Sequence, residues 1–458
     1  MTVSRRKFLH QSAQAATCFA LAGYTHSALK AVGDVVSDRH FTVRDVERTT
    51  ARLEYRPVPY RAMSRELPHW RYIEVCDVKL SSDITGTGET MLYYTWGATS
   101  DEAVASVIGK NAVDAMWEEG LGAGLQMALF DAVGRTAGVP VHALMGPKVH
   151  ETTPLSWWNI DTSAEDMALD CAEAHRLGYM SYKTKGRPWF DPFEQLDAAT
   201  SVVPAEFKID MDFNSTLRTA EQALPILMEM QKYPQVDIYE SPIPQGDVEG
   251  NRRIVDATRV NVAMHFGSPS PKTVVQTGCC DGFVVGGSAA HTMSAGQFCG
   301  QVHMPFWLQL VGAGLTAAYS LHFGGILRQA RWPAVNCHQL FKHDLLTEPI
   351  LVRNGKSTVP DRPGIGYDVD RDQLARLRVS KPSGRPKPER LVETVWADGR
   401  RVFTASGDRT NFLLDAANKG LFPFYAKGAD SRLIPNDGSE LWRTRYAKSI
   451  AAGGPVED

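Results

Sequence analysis

The sequence predicts an α/β protein built on a modified, TIM-like (β/α) barrel, preceded by an N-terminal α+β domain and followed by a C-terminal β-rich extension. Three observations carry that expectation. Short apolar runs recur from Pro154 to His338 at intervals of roughly 21–29 residues, the length of one strand, loop, helix and return. Each run ends in the same way, on a polar residue or a glycine: Lys185 in GYMSYKTKG, Asp212 in EFKIDMDFN, Glu240 in VDIYESPIP, His265 in NVAMHFG, Gly286 in DGFVVGG, Gln309 in MPFWLQLVG and His338 in PAVNCHQL. The chain on either side of this stretch loses the repeat and reads as β-like runs broken by glycine turns.

Residues 1–30 read as a leader. Ser4-Arg5-Arg6-Lys7-Phe8-Leu9 precedes an apolar stretch, Ala15 to Ala22, that is too short to span a bilayer. This pattern resembles a twin-arginine export signal with Ala20-Leu21-Ala22 as a cleavage site, which implies a periplasmic protein with no membrane segment in its mature form. Residues 38–150 form the α+β domain. Strands lie either side of a long polar loop, Arg56 to Trp70, and Gly86-Thr87-Gly88-Glu89 reads as a turn between two β-like runs. Ser100 to Gly138 reads as helix, because Trp117, Leu121, Leu125, Leu129 and Val133 recur at helical spacing.

The barrel occupies residues 151–349. Thr162 and Glu165 predict a capping box for a helix that ends at Gly178. Eight strands are expected, near Leu155, Ser181, Phe207, Ile238, Val262, Phe283, Phe306 and Val335. Residues 350–380 carry Asn354-Gly355 and Pro363-Gly364 turns, and residues 381–458 form the extension, with a hairpin at Asp398-Gly399 between Leu391–Trp396 and Arg401–Thr404.

Composition narrows the function. A chain of 458 residues, 43% hydrophobic and with a formal charge of −3, has no basic footprint for nucleic acid or an acidic membrane face. Its seven cysteines show no paired CxxC spacing, so zinc and iron–sulfur sites are not expected, and their scatter suggests buried thiols. Two carboxylates on consecutive strands, Asp212 and Glu240, suit a hard divalent cation. Lys183 and Lys185 lie two apart on one strand and so share a face. Beside a cation, such a pair suits removal of a proton next to a carboxylate, since each ammonium disfavours the charge of the other. One residue of this kind is an ordinary rim ion pair; the ordered set points to chemistry.

These motifs resemble the enolase superfamily, in its mandelate racemase/muconate lactonizing branch. The resemblance runs from about Phe41 to Leu377 and includes Gly88-Glu89, Leu125–Gly134, Gly138–Gly146, Leu345–Pro349 and Val359–Gly366. It implies that the N-terminal domain caps the barrel mouth, that the Arg56–Trp70 loop helps select substrate, and that Mg2+ is bound. It also implies that the α-proton of a carboxylate is removed to give an enolate. Lys185 matches the base, Lys183 its partner on the substrate carboxylate, Asp212 and Glu240 the first two metal ligands, and Asn214 the usual polar neighbour.

Three positions depart from that pattern. His265 stands where the third ligand is normally an acid or amide; it could bind a softer metal such as Mn2+, hold a metal-bound water, or move protons. Gly286 and Gln309 stand where the opposite acid/base is expected, and neither transfers a proton, so two-base racemisation is disfavoured. His338 stands where a Glu often bonds the enolate, and is either an acid or a rim histidine. Gln309, with Trp157 at the end of strand one, is a candidate substrate contact, although Trp157 and Trp158 could equally be core. The expected activity is dehydration of a small hydroxy acid or sugar acid. The alternatives are isomerase or cycloisomerase chemistry, or an exported barrel that binds a small acid without turning it over. Self-association into a homo-oligomer is implied by resemblance alone.

Overall fold

The computed structural model describes residues 40–94 and 97–457; the twin-arginine segment and Cys18 lie outside the described residues. The N-terminal domain is a three-stranded antiparallel sheet in the order β1 (Val43–Arg52), β2 (Tyr72–Leu80), β3 (Thr85–Met91). Gly86-Thr87-Gly88-Glu89 is not a turn but part of β3. Helix Ala123–Ala137 lies so close on that strand that a Cβ at Gly88 would strike the backbone of Gly124 and Ala128. The region from Ser100 to Gly138 is three helices, Asp101–Val107, Ala112–Ala115 and Ala123–Ala137, rather than one. Gly109, Gly120 and Gly122 at positive φ break the path while the apolar spacing continues across the breaks. The expected polar loop at Arg56–Trp70 is mostly helix, Pro57–Glu66 and a short 3-10 turn at Pro68–Arg71. Pro57 sits in the first turn, where its missing N–H costs nothing.

Next come β4 (Thr152–Pro154) and a parallel sheet of seven strands: β5 (Trp157–Trp158), β6 (Ser181–Lys185), β7 (Lys208–Asp212), β8 (Val236–Glu240), β9 (Asn261–His265), β10 (Gly282–Val285) and β11 (Phe306–Leu308). Helices intervene between consecutive strands from β5 onward, which is the (β/α) architecture. The expected eighth strand is an extended segment with a few isolated bonds to its neighbours. Val335 N donates to Leu308 O at 2.8 Å, Ala334 N to Pro154 O at 2.9 Å, and Ser156 N to Ala334 O at 2.9 Å. Pro333 has no N–H to extend this ladder. The helix after β5 is capped one residue later than expected, by Ser163, whose side chain accepts from Asp166 N.

Residues 350–380 tie the barrel to the cap. β12 (Lys356–Thr358) pairs with β4, and Val379 N donates to Thr50 O at 2.9 Å. Buried Asp131 accepts from Thr87 N at 2.8 Å and from Ile365 N at 2.7 Å. Buried Glu89 accepts from Ala313 N and Thr316 N, both at 2.8 Å, at the start of helix Gly314–Ile326. Cap and barrel share one core. The extension forms a four-stranded sheet in the order β15 (Asp430–Ile434), β13 (Arg390–Val395), β14 (Arg401–Ser406), β16 (Val456–Glu457), with helices Phe412–Asn418 and Glu440–Ala452. The Asp398-Gly399 hairpin joins β13 to β14, with Gly399 at φ +86. The six described cysteines are free and buried, and among the described residues no helix is long and apolar enough to cross a membrane.

Candidate active site

Strand register assembles the site. Lys185 on β6 pairs with Asp212 on β7, which pairs with Glu240 on β8, so the three stand side by side at the C-terminal ends of consecutive strands. Lys183, two residues back, points the same way. Lys183, Asp212 and Glu240 are almost wholly buried, at 2%, 1% and 1% side-chain exposure, whereas Lys185 keeps 15% at the cavity edge. Lys185 contacts Asp212 Oδ2 directly. Lys183 contacts Glu240 Oε2, lies 4.0 Å from Asp212 Oδ2, and donates to Gln309 Oε1 at 3.0 Å. Its ammonium also lies 5.0 Å from the centre of the Trp307 ring.

The two lysines are driven apart. Burial alone would lower Lys183, but the Glu240 and Asp212 carboxylates outweigh it and hold it above the ordinary lysine value. Burial pushes Lys185 below that value; Asp212 opposes the shift and the Lys183 charge adds to it. Burial would raise Glu240, yet Lys183 and His265 keep it well below the usual carboxylate range, so it is ionised. Asp210, one pleat deeper on β7, has no such partner in contact. Burial, then the charge of Asp237, pushes it far above the carboxylate range, so it adds no third negative charge.

His265 Nε2 lies 3.0 Å from Glu240 Oε1. Both Glu240 oxygens are buried without a regular hydrogen-bond donor, and are met only by the ionic contacts of Lys183 and His265. That donor set, two hard carboxylates beside an imidazole, fits a divalent cation and leans toward Mn2+ more than an all-oxygen set would. Among the described residues no three His, Cys, Asp or Glu side chains already converge on one cation position.

The cavity has two lobes that share Tyr94, His265, Gln309 and Val311. The larger, about 620 Å³, runs past Gly286 and Gly287 beneath the cap helix at Ala123. The smaller, about 470 Å³, holds Lys183, Lys185, Asp212 and Asn214. Asn214 bridges outward: its N and Nδ2 donate to the Asp212 carboxylate at 2.9 and 3.2 Å, and its Oδ1 accepts from Arg187 Nη2 at 2.7 Å. Leu67, His69 and Trp70 enter from the cap.

Two expected contacts fall elsewhere. Cys337, at φ +67, turns the chain at the end of the eighth segment, so Cys337 faces the cavity and His338 does not. His338 Nε2 lies 3.2 Å from Tyr179 Oη, and burial, then the Arg56 charge, lowers its pKa to about 4. A buried histidine off the cavity is neither a substrate acid nor a rim residue. Trp157 is buried against Tyr179 and beneath Arg56, while Trp158 lines the cavity and stacks on Trp70 at 5.5 Å. Arg187, Tyr94 and the extension's Arg385, Thr410, Asn411 and Leu414 also line the smaller lobe, without a motif that marks them together in the sequence. Only Arg187, two residues beyond Lys185, carried a local signal.

Residues 166–373 match the family described as Enolase C-terminal domain-like. The chain is 26% identical over 263 residues to an arabinonate dehydratase of Saccharolobus solfataricus, covering 54% of this chain and 69% of that protein. It is 24% identical to a muconate cycloisomerase of Acinetobacter lwoffii, covering 57% and 70%. It is also 22% identical to an N-succinyl-L-Arg/Lys racemase of Bacillus cereus, covering 56% and 71%. In three dimensions it resembles the muconate lactonizing enzyme from Pseudomonas fluorescens, with a TM-score of 0.60 and 18% identity over 74% of this chain and all of that one.

Proposed function

The chain belongs to the enolase superfamily, in the mandelate racemase/muconate lactonizing group, and is an enzyme of lyase or isomerase type; from that premise we propose that it dehydrates a small hydroxy acid or sugar acid, with Lys185 as the base that removes the α-proton. One observation carries the assignment: two lysines on one strand face stand beside Asp212 and Glu240, Lys183 buried against Glu240 and Gln309 and Lys185 at the cavity edge against Asp212, surroundings that push the first toward its charged form and the second toward its neutral one. Titrating groups driven apart by their surroundings mark division of labour between electrostatic partner and proton acceptor.

Lys183, held by Glu240 and Gln309, presents a permanent charge to the substrate carboxylate. Lys185, at the cavity edge, takes the proton from the adjacent carbon. The C–H electron pair becomes the new double bond as the β C–O bond breaks, and the proton on Lys185 leaves with the hydroxyl as water. Asp212, Glu240 and His265 would hold Mg2+ or Mn2+, which when bound offsets the charge developing on the substrate oxygens. The positions at the ends of β10 and β11 that line the cavity, Gly286 and Gln309, offer no group that transfers a proton, and this favours elimination over racemisation. His338, off the cavity, has no part in the step.

Hydroxy acids and sugar acids supplied with Mg2+ or Mn2+ test the reading. Lys185→Met should abolish turnover while calorimetry shows metal binding retained; turnover in that variant would overturn the assignment. Export through the twin-arginine segment is proposed with it, and the free buried cysteines suit a protein folded before export. Replacing Arg5 and Arg6 by Lys should leave the protein in the cytoplasmic fraction, and unchanged export would refute the signal.

A further inference from the structure

We propose that the substrate carries a second anionic group, a carboxylate or a phosphate, bound by Arg187 and Arg385, and that the C-terminal extension thereby completes the active site. The proposal rests on the proton-abstraction reading, which places the first carboxylate at Lys183.

Arg187 is 4% exposed and lines the smaller lobe two residues beyond the base. One guanidinium nitrogen, Nη2, donates to Asn214, but Nε and Nη1 have no hydrogen-bond partner. The nearest carboxylate oxygen, Asp161 Oδ1, is 4.0 Å from Nε, too far for a hydrogen bond. Asp161 is already shared, since its Oδ2 takes Trp189 Nε1 at 2.7 Å and Arg65 Nη2 at 3.2 Å. A buried guanidinium with open donors is costly in an empty protein and matches the two oxygens of a carboxylate or phosphate.

Arg385 reaches the same lobe from the segment before β13. It donates to the carbonyl of Asp408, and among the described residues no carboxylate pairs with it. Positive charge there is felt by its neighbour His69, whose pKa falls to about 3 through burial first and then the charges of Arg385 and Arg390.

The extension also fixes Arg187. Trp189 and Phe190, from the same loop, are buried in the extension's core with Trp396, Phe412 and Phe422. Asp191 N donates to Ala429 O at 2.8 Å, and Tyr425 Oη donates to Gly186 O at 3.0 Å. Arg390 Nη1 donates to the carbonyls of Arg65 and Glu66, both at 2.9 Å, which locks the extension onto the cap beside the cavity.

The test uses the full chain and three six-carbon probes that differ only at the far end: gluconate, glucarate and 6-phosphogluconate, with their four-carbon counterparts. Binding is measured by calorimetry with Mg2+ present and again after chelation. At least one dianion should bind tenfold or more tightly than its monoacid, and which one does identifies the group. Arg385→Gln should bring that ratio near one, Arg385→Lys should keep part of it, and Arg187→Gln should likewise remove the dianion preference. Absence of any dianion preference, or a preference that survives Arg385→Gln, would overturn the proposal. Lys185→Met should retain the preference, so a failure of the base assignment would show separately, as α-hydrogen exchange that persists in that variant or that the wild type never shows.

Discussion

Replacing Asp212 by asparagine removes the carboxylate that both site lysines lean on. Asp212 Oδ2 contacts the Lys185 ammonium and lies 4.0 Å from that of Lys183. Opposite unit charges 4 Å apart attract by about 4 kcal/mol at an effective dielectric near 20. Removing one partner of a buried pair costs about 3–5 kcal/mol, because the other charge is left uncompensated. Lys185 limits that loss by giving up its proton, since its folded-state pKa is already depressed by burial and Asp212 is what opposes the shift. A lysine depressed on folding binds fewer protons folded than unfolded, so stability rises with pH between the folded value and the unfolded value of about 10.4. The depression deepens in the variant, so the gap between wild type and Asp212→Asn should close as pH rises. Urea unfolding of chelator-treated protein, followed by tryptophan fluorescence, should show a loss of about 3–5 kcal/mol at pH 7, smaller by at least about 1 kcal/mol at pH 9.5. A loss under about 1 kcal/mol at both pH values, or a gap that widens with pH, would refute this electrostatic picture.

Four further outcomes follow from the fold and the site. Glu89→Ala leaves the N–H groups of Ala313 and Thr316 buried and unpaired, and should lower unfolding free energy by about 2–5 kcal/mol in urea titration; Gly88→Ala should cost about 1–3 kcal/mol by forcing the helix at Gly124 off β3. His265→Asp turns the imidazole into a third hard ligand and should raise the preference for Mg2+ over Mn2+ at least about tenfold, roughly 1.4 kcal/mol, in competition calorimetry. Because Lys185 must be neutral to accept a proton and its pKa is lowered, kcat/KM of the wild type should rise with pH at values below an ordinary lysine's titration; a rise that tracks an unperturbed lysine would contradict the assigned role.

The barrel and its strand-end set were legible because strand period and repeat length leave little freedom. Once the apolar runs are placed, Lys183, Lys185, Asp212 and Glu240 must share one rim. His338 was misplaced where that parity breaks, since the eighth segment makes an isolated bridge rather than a ladder and Cys337 at φ +67 reverses the face. Trp157 and Trp158 are adjacent, so composition alone could not say which faces the cavity; register decided it. The helix at Pro57–Glu66 was hidden because its buried face includes Arg65 and Glu66, which pair with each other and read as loop polarity. Arg385 was invisible for another reason: only tertiary packing of the extension around Trp189 and Phe190 brings it to Arg187.

Hydrogen exchange at the substrate's α-carbon measures the proposed chemistry without knowledge of the final product. Incubation of sugar acids and hydroxy acids in deuterated buffer with Mg2+ or Mn2+, read by proton NMR, should show the α-hydrogen of at least one acid lost by dehydration or replaced by deuterium in the presence of wild type, and left untouched by Lys185→Met. Exchange or turnover that persists in Lys185→Met, or an α-hydrogen that the wild type leaves intact in every acid it binds, would show that this barrel does not work as a proton-abstracting enzyme through Lys185.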